Sequence, residues 1–153
     1  MLKLFDAPAS QGWAIAILRL VVGVVFSAHG WKKFFVDGVG GFSTFLGQLG
    51  IPAPGLFGPV VAGLELLGGL LLMFGLFTRW VTIPLAANML VAAATVHLKN
   101  GFFLPAGFEY TLVLFAANVS LFLAGPGAFA LDNLVAARTK KTPSSQPVAA
   151  QAN

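Results

Sequence analysis

The stretch PVVAGLELLGGLLLMFGLF (residues 59–77) is almost wholly apolar and carries one carboxylate, Glu65, near its middle. GWAIAILRLVVGVVFSAHGW (residues 12–31) is interrupted in the same way by Arg19. An ionisable side chain at the centre of a bilayer costs about 2.5–3.5 kcal/mol on insertion scales, so it persists where it pairs, lines a cavity or does chemistry. Two amides, Asn88 and Asn118, fall near the middles of two further apolar stretches. His29 and His97 fall near the ends of such stretches, with Lys33 and Glu109 close to the same boundary. Buried together, these residue types could do three things. Arg19 could polarise a carbonyl oxygen, Glu65 could hold Arg19 or relay a proton, and the histidines, which titrate near neutral pH, could pass protons to one face.

The elements that must position these groups are apolar helices. The chain has 153 residues, 58% of them hydrophobic and 9% charged, against an ordinary charged share of about 25%. So few charges cannot cover a water-soluble surface, and lipid is the natural solvent. A spanning helix needs about 20 apolar residues, and four stretches qualify or come close: residues 12–31, 56–77, 80–98 and 110–125. The expected fold is an all-α integral membrane four-helix bundle over residues 12–134. An N-terminal cytoplasmic segment (residues 1–11) precedes it and a disordered polar tail (residues 135–153) follows. The first span is too long for a signal peptide and is broken by Arg19, so it reads as a retained helix. FTRW (residues 77–80) joins the second and third spans so tightly that they form an antiparallel hairpin. The longer first connection has room for a short interfacial helix at about residues 41–49.

Lys3, Arg79, Arg138, Lys140 and Lys141 lie on one side of this topology, and Lys32, Lys33 and Lys99 on the other. By the positive-inside rule both termini are cytoplasmic. The net charge of +4 fits loops facing anionic headgroups, and no basic run with interleaved aromatics suggests nucleic acid. With no cysteine, the chain itself has no disulfide, thiolate metal site or thiol redox chemistry. No metal site is expected. The glycines of GLELLGGLLLMFG are packing devices, because neither a preceding strand nor a following Lys-Ser/Thr makes them a phosphate loop.

Arg19 and Glu65 come out at similar depths when counted at ~1.5 Å per residue from their helix ends. They are expected to meet at the bundle's centre, with Asn88 and Asn118 supplying amide hydrogen bonds. His29, Lys33, His97 and Glu109 then form an outward-facing mouth. In a straight helix His97 is out of phase with Asn88, although Pro84 permits a bend. Each group also has a plainer role: the ion pair fixes helix register, the amides glue helices, and the histidines bond at the interface.

Four ordered motifs resemble the DoxX family of small bacterial membrane proteins. They are LRLVVGVVFSAHGWKKF (18–34), GLELLGGLLLMFGLFTRW (63–80), IPLAANMLVAAATVH (83–97) and FEYTLVLFAANVSLFLAGPGAFALD (108–132). The resemblance covers residues 13–134. It implies a multi-pass bacterial inner-membrane protein with four helices. It also links the chain, at the level of the family, to the membrane subunit of a thiosulfate:quinone oxidoreductase and to thiol-redox complexes. The leading expectation is the membrane component of a redox system, a quinone-linked oxidoreductase subunit. It would bind a quinone or similar small amphiphile at a buried Arg/Glu centre and take electrons from a soluble redox partner protein. The alternatives are a small-solute transporter or permeability factor, for which a homodimer is expected, and a non-catalytic scaffold for an oxidoreductase complex. A haem held by His29 and His97 is disfavoured by their helical phase.

Overall fold

The computed structural model describes residues 7–139, and among them the regular structure is entirely helical. Six α-helices follow in order: α1 (Ala7–Trp31), α2 (Val39–Gln48), α3 (Pro54–Phe74), α4 (Thr78–Ala92), α5 (Glu109–Ala124) and α6 (Leu131–Thr139). With their extensions, the helices built on α1, α3 and α4 are long and apolar enough to cross a membrane. The fourth, α5, has 16 residues, about 24 Å of helix. α1 packs chiefly on α3 and α4 on α5, while contacts of α3 with α4 and of α1 with α5 close the bundle.

The surface pattern is inverted relative to a water-soluble protein. Leu20, Val21 and Val24 of α1, Leu67 and Phe74 of α3, and Val113 and Leu123 of α5 are exposed. Arg19, Glu65, Thr82, Thr111 and Asn118 are buried. An apolar shell around a core that mixes apolar side chains such as Phe26, Leu72 and Leu85 with these polar groups is stable where the surroundings are hydrocarbon, and the fold is a membrane helical bundle.

The α3–α4 hairpin has a visible cause. Gly75, at φ 66°, ends α3. The Gly75 amide donates to the Leu72 carbonyl at 3.0 Å and the Leu76 amide to the Leu71 carbonyl at 2.9 Å, a glycine-dependent C-terminal cap. α4 starts three residues later, so its axis must run antiparallel to α3.

Two boundaries differ from the sequence expectation. α1 begins at Ala7 rather than near residue 12, and residues 1–6 lie outside the described residues. The tail expected to be unstructured from residue 135 is helical through Thr139 in α6. α6 docks at its start: the Asp132 amide donates to the Gly75 carbonyl at 3.0 Å, and Asn133 Nδ2 donates to the Gly127 carbonyl at 2.8 Å. The rest of the expected tail, residues 140–153, lies outside the described residues.

Candidate functional site

The depth of every polar group depends on the α1–α3 register, and glycines set it. A Cβ on Gly30 would strike the backbone of Leu66. One on Gly23 would lie 2.7 Å from the Gly69 carbonyl oxygen, and one on Gly69 2.5 Å from the Ser27 amide. Small residues thus let the two backbones touch, with residue 30 beside 66 and residue 23 beside 69 and 73. Residue 19 is then carried well past Glu65, toward the far end of α3.

Arg19 and Glu65 therefore do not meet, and the buried Arg/Glu centre expected from the sequence is replaced by two separate structures. Counting from predicted helix ends erred because α1 begins earlier and continues further than its apolar run suggests. Arg19, 3% exposed, caps the end of α3. Its Nη1 donates to the carbonyls of Leu72 at 2.7 Å and Met73 at 3.1 Å, and its Nη2 to that of Ala128 at 3.3 Å. A guanidinium there satisfies last-turn carbonyls and sits at the negative end of the helix dipole. Asp132 completes this inner junction by accepting from the Phe77 and Thr78 amides at 2.8 and 3.0 Å, at the start of α4. The sequence reading missed Asp132. Its signal was an acidic residue just beyond the glycine-rich GPG turn, but nothing local says that it caps a distant helix.

Glu65, 4% exposed, lies near the middle of α3, apart from the Arg19 cap at that helix's end. Lys33 Nζ pairs with Glu65 Oε2, and Asn88 Nδ2 donates to Glu65 Oε1 at 2.8 Å. Lys33, expected at the mouth, instead reaches the carboxylate. It stands in a π-helical turn, Lys32–Val36, that continues α1. A second π-helical turn, Ala93–His97, continues α4. Such a turn takes more residues per revolution than an α-helix, so His97 rotates away from the phase of a straight helix. His97 and Glu65 line one cavity.

A cavity of about 360 Å³ lies over this carboxylate, lined by His29, Lys33, Glu65, His97, Tyr110 and Thr111. Phe26, Met89 and Leu114 supply apolar wall, and Leu104, Pro105 and Gly107 of the loop before α5 cover it. The volume falls within the range of small-molecule sites, about 300–1,000 Å³. His29 Nδ1 bonds the Val25 carbonyl at 2.9 Å, and His97 Nδ1 the Ala106 carbonyl at 2.8 Å. A carbonyl only accepts, so Nδ1 carries the proton and Nε2 of each neutral ring is left as an acceptor. The ring of Tyr110, the chain's single tyrosine, lies 6.0 Å from that of His29. Tyr110 was not singled out in the sequence, where an aromatic at a helix start reads as an interfacial anchor.

Two further candidates lie away from the cavity lining. Glu109 Oε1 accepts from the Leu104 amide at 2.6 Å and ties down the covering loop. Asn118, fully buried, donates from Nδ2 to the Leu114 carbonyl of its own helix at 2.8 Å, and its Oδ1 has no hydrogen-bond partner among the described residues.

Comparison with known proteins gives this architecture a family. The DoxX family model matches residues 14–98. A Bacillus subtilis (strain 168) protein named "Putative oxidoreductase CatD" is 39% identical over 119 residues, covering 78% of this chain and 84% of the relative. "Uncharacterized membrane protein Rv3486" of Mycobacterium tuberculosis is 29% identical over 136 residues, covering 82% and 83%. "Inner membrane protein YqjF" of Escherichia coli (strain K12) is 28% identical over 126 residues, covering 79% and 91%. No solved structure matches the chain. The matched segment spans α1 to the π-helical turn after α4, including Arg19, Lys33, Glu65, Asn88 and both histidines, and the chain belongs to the DoxX family of multi-pass bacterial membrane proteins.

Proposed function

We propose that the chain is the membrane component of a redox system and binds a quinone, or a small amphiphile of similar head, in the cavity over Glu65. One observation carries the reading. A largely buried ion pair, Lys33–Glu65, with Asn88 bonded to the carboxylate behind it, lies on the wall of a cavity whose other walls are apolar side chains with His29, His97, Tyr110 and Thr111. Intramembrane charges held beside a cavity mark ligand or proton pathways. The name of the Bacillus subtilis relative points the same way.

The residues fit a quinone head. Apolar faces at Phe26, Met89 and Leu114 suit a flat ring, and donors stand at its edge. A bound quinone would supply two-electron, two-proton chemistry. Protonated His29 or His97 would donate from Nε2 to a ligand oxygen, and the neutral ring would accept a hydroxyl proton back. Lys33 Nζ would hold the second oxygen's partial charge, with Glu65 fixing the ammonium in place. Arg19 has no part in this arrangement, because it lies at the far end of α3, where Nη1 and Nη2 donate to the carbonyls of Leu72, Met73 and Ala128. The chain has no cysteine, so electrons would come from a soluble redox partner protein.

The test is to purify the protein in mild detergent beside Glu65→Gln and identify retained small molecules by mass spectrometry. A quinone kept by the parent protein and lost by the variant is the expected result. No retained quinone, together with no binding in a titration to micromolar quinone, would overturn the reading.

A further inference from the structure

A second cavity, of about 420 Å³, lies beside the first, between the outer end of α1 and α2. Its walls are His29, Lys32, Lys33, Gly41, Phe42 and Phe45, with Asp37 at its edge. His29 and Lys33 line both spaces. The ammonium of Lys33 therefore has two neighbours of different kind. It pairs with Glu65 on one side and lies 5.2 Å from the centre of the Phe42 ring on the other.

The second space is built differently from the first. Lys32 and Asp37 form an exposed ion pair at 2.6 Å on its edge. α2 carries Gly41, Phe42 and Phe45 on one stripe, facing the space. Its Ser43 and Leu46 lie on another, and Ser43 abuts Gly58 of α3 so closely that no Cβ fits there. α2 is thus fixed to α3 and holds an aromatic-walled groove open beside α1. Gly41 opens on empty space, since a Cβ there would meet nothing within 4 Å, so a large side chain at this position can enter the groove.

We infer that the two spaces form one bent site for a two-part amphiphile: the polar head lies over Glu65, and the apolar tail leaves past His29 and Lys33 along the Phe42–Phe45 groove of α2 toward the lipid. The inference rests on the proposed function and adds the substrate's tail and its route. The two residues it shares with the head cavity, His29 and Lys33, distinguish this groove from an apolar face that merely touches lipid.

Menadione and phylloquinone share one ring and differ by a long isoprenoid tail, which makes them suitable probes. Binding of each to the full chain in nanodiscs would be measured by mass spectrometry, against empty nanodiscs, for the parent protein, Gly41→Trp and Gly40→Trp. Gly40 is on the same helix, exposed and outside the groove. The expected result is that the parent protein prefers phylloquinone and that Gly41→Trp weakens phylloquinone at least about tenfold, the loss of a few buried methylenes. Menadione binding stays unchanged, and Gly40→Trp behaves as the parent. Should Gly41→Trp fail to fold, Phe45→Ala removes a groove wall and is expected to weaken phylloquinone alone. Equal affinity for the two probes, or Gly41→Trp that loses only co-purified phospholipid, overturns the bent site and leaves the head cavity standing. Binding of neither probe by the parent protein overturns both.

Discussion

Glu65 is stable at its depth because two donors meet its two oxygens, Lys33 at Oε2 and Asn88 at Oε1. Removing one partner of such a pair leaves an uncompensated charge, a loss of about 3–5 kcal/mol, whereas removing both is far milder. Lys33→Met and Glu65→Gln are therefore expected each to lower the unfolding temperature strongly. The double variant should be more stable than the sum of the two losses by at least about 1 kcal/mol, read from a double-mutant cycle in thermal unfolding. Additive losses would show that the pair is not coupled. Arg19 has a different role at the other end. Three carbonyls accept from its guanidinium, and a hydrogen bond to a charged group contributes about 1.5–3 kcal/mol. Arg19→Met is expected to destabilise the protein by about that much and to leave ligand retention in the outer cavity unchanged. Arg19→Lys should recover little, because a single ammonium cannot reproduce the fork that bridges Leu72, Met73 and Ala128. Loss of ligand in a folded Arg19→Met protein would place Arg19 back at the site.

At the scale of elements, the contact of α1 with α3 decides which polar groups share a site. Gly30→Ala puts a methyl against the Leu66 backbone, which cannot move aside as a side chain would. Overpacking of this kind costs about 1–3 kcal/mol. It also separates Lys33 from Glu65, so both thermal stability and ligand retention should fall. Gly63→Ala, on the same α3, meets nothing within 4 Å and is expected to be neutral or slightly stabilising by helix propensity. Equal losses from the two substitutions would deny the close approach. This register is also what the sequence could not convey. Three spans were legible from their apolar runs, and the short helix α2 from the Gly- and Phe-rich first connection. Glu65, Asn88, His29 and His97 were legible as candidates from polarity in an apolar setting. The partner of Glu65 was not, because glycine spacing shows that two helices approach without showing where they touch. The partner turned out to be Lys33, 14 residues beyond Arg19 on the same helical stretch, about 20 Å of helix. The π-helical turns were equally hidden: KKFFV and AATVH look like ordinary helical sequence, yet they re-aim Lys33 and His97.

Across the whole molecule the two ends have divided roles. One end holds Arg19, the Gly75 turn and Asp132, a closed junction of caps. The other holds the cavity, its covering loop and the groove of α2. Which end faces the cytoplasm then decides where the cavity's protons come from and where a soluble redox partner can dock. By the positive-inside rule Arg79 and Arg138 are expected inside and Lys99 outside. On the proposed function, that orientation would open the cavity to the outer aqueous phase and would call for a redox partner acting from outside. The chain has no cysteine, so single cysteines report without background. Lys99→Cys and Arg138→Cys both replace exposed residues. The expected outcome is that a membrane-impermeant maleimide labels Lys99→Cys in intact cells and Arg138→Cys only after permeabilisation. The reverse pattern would turn the cavity to the cytoplasm, where a soluble cytoplasmic reductase reaches the Glu65 end directly and the histidines draw protons from the cell interior.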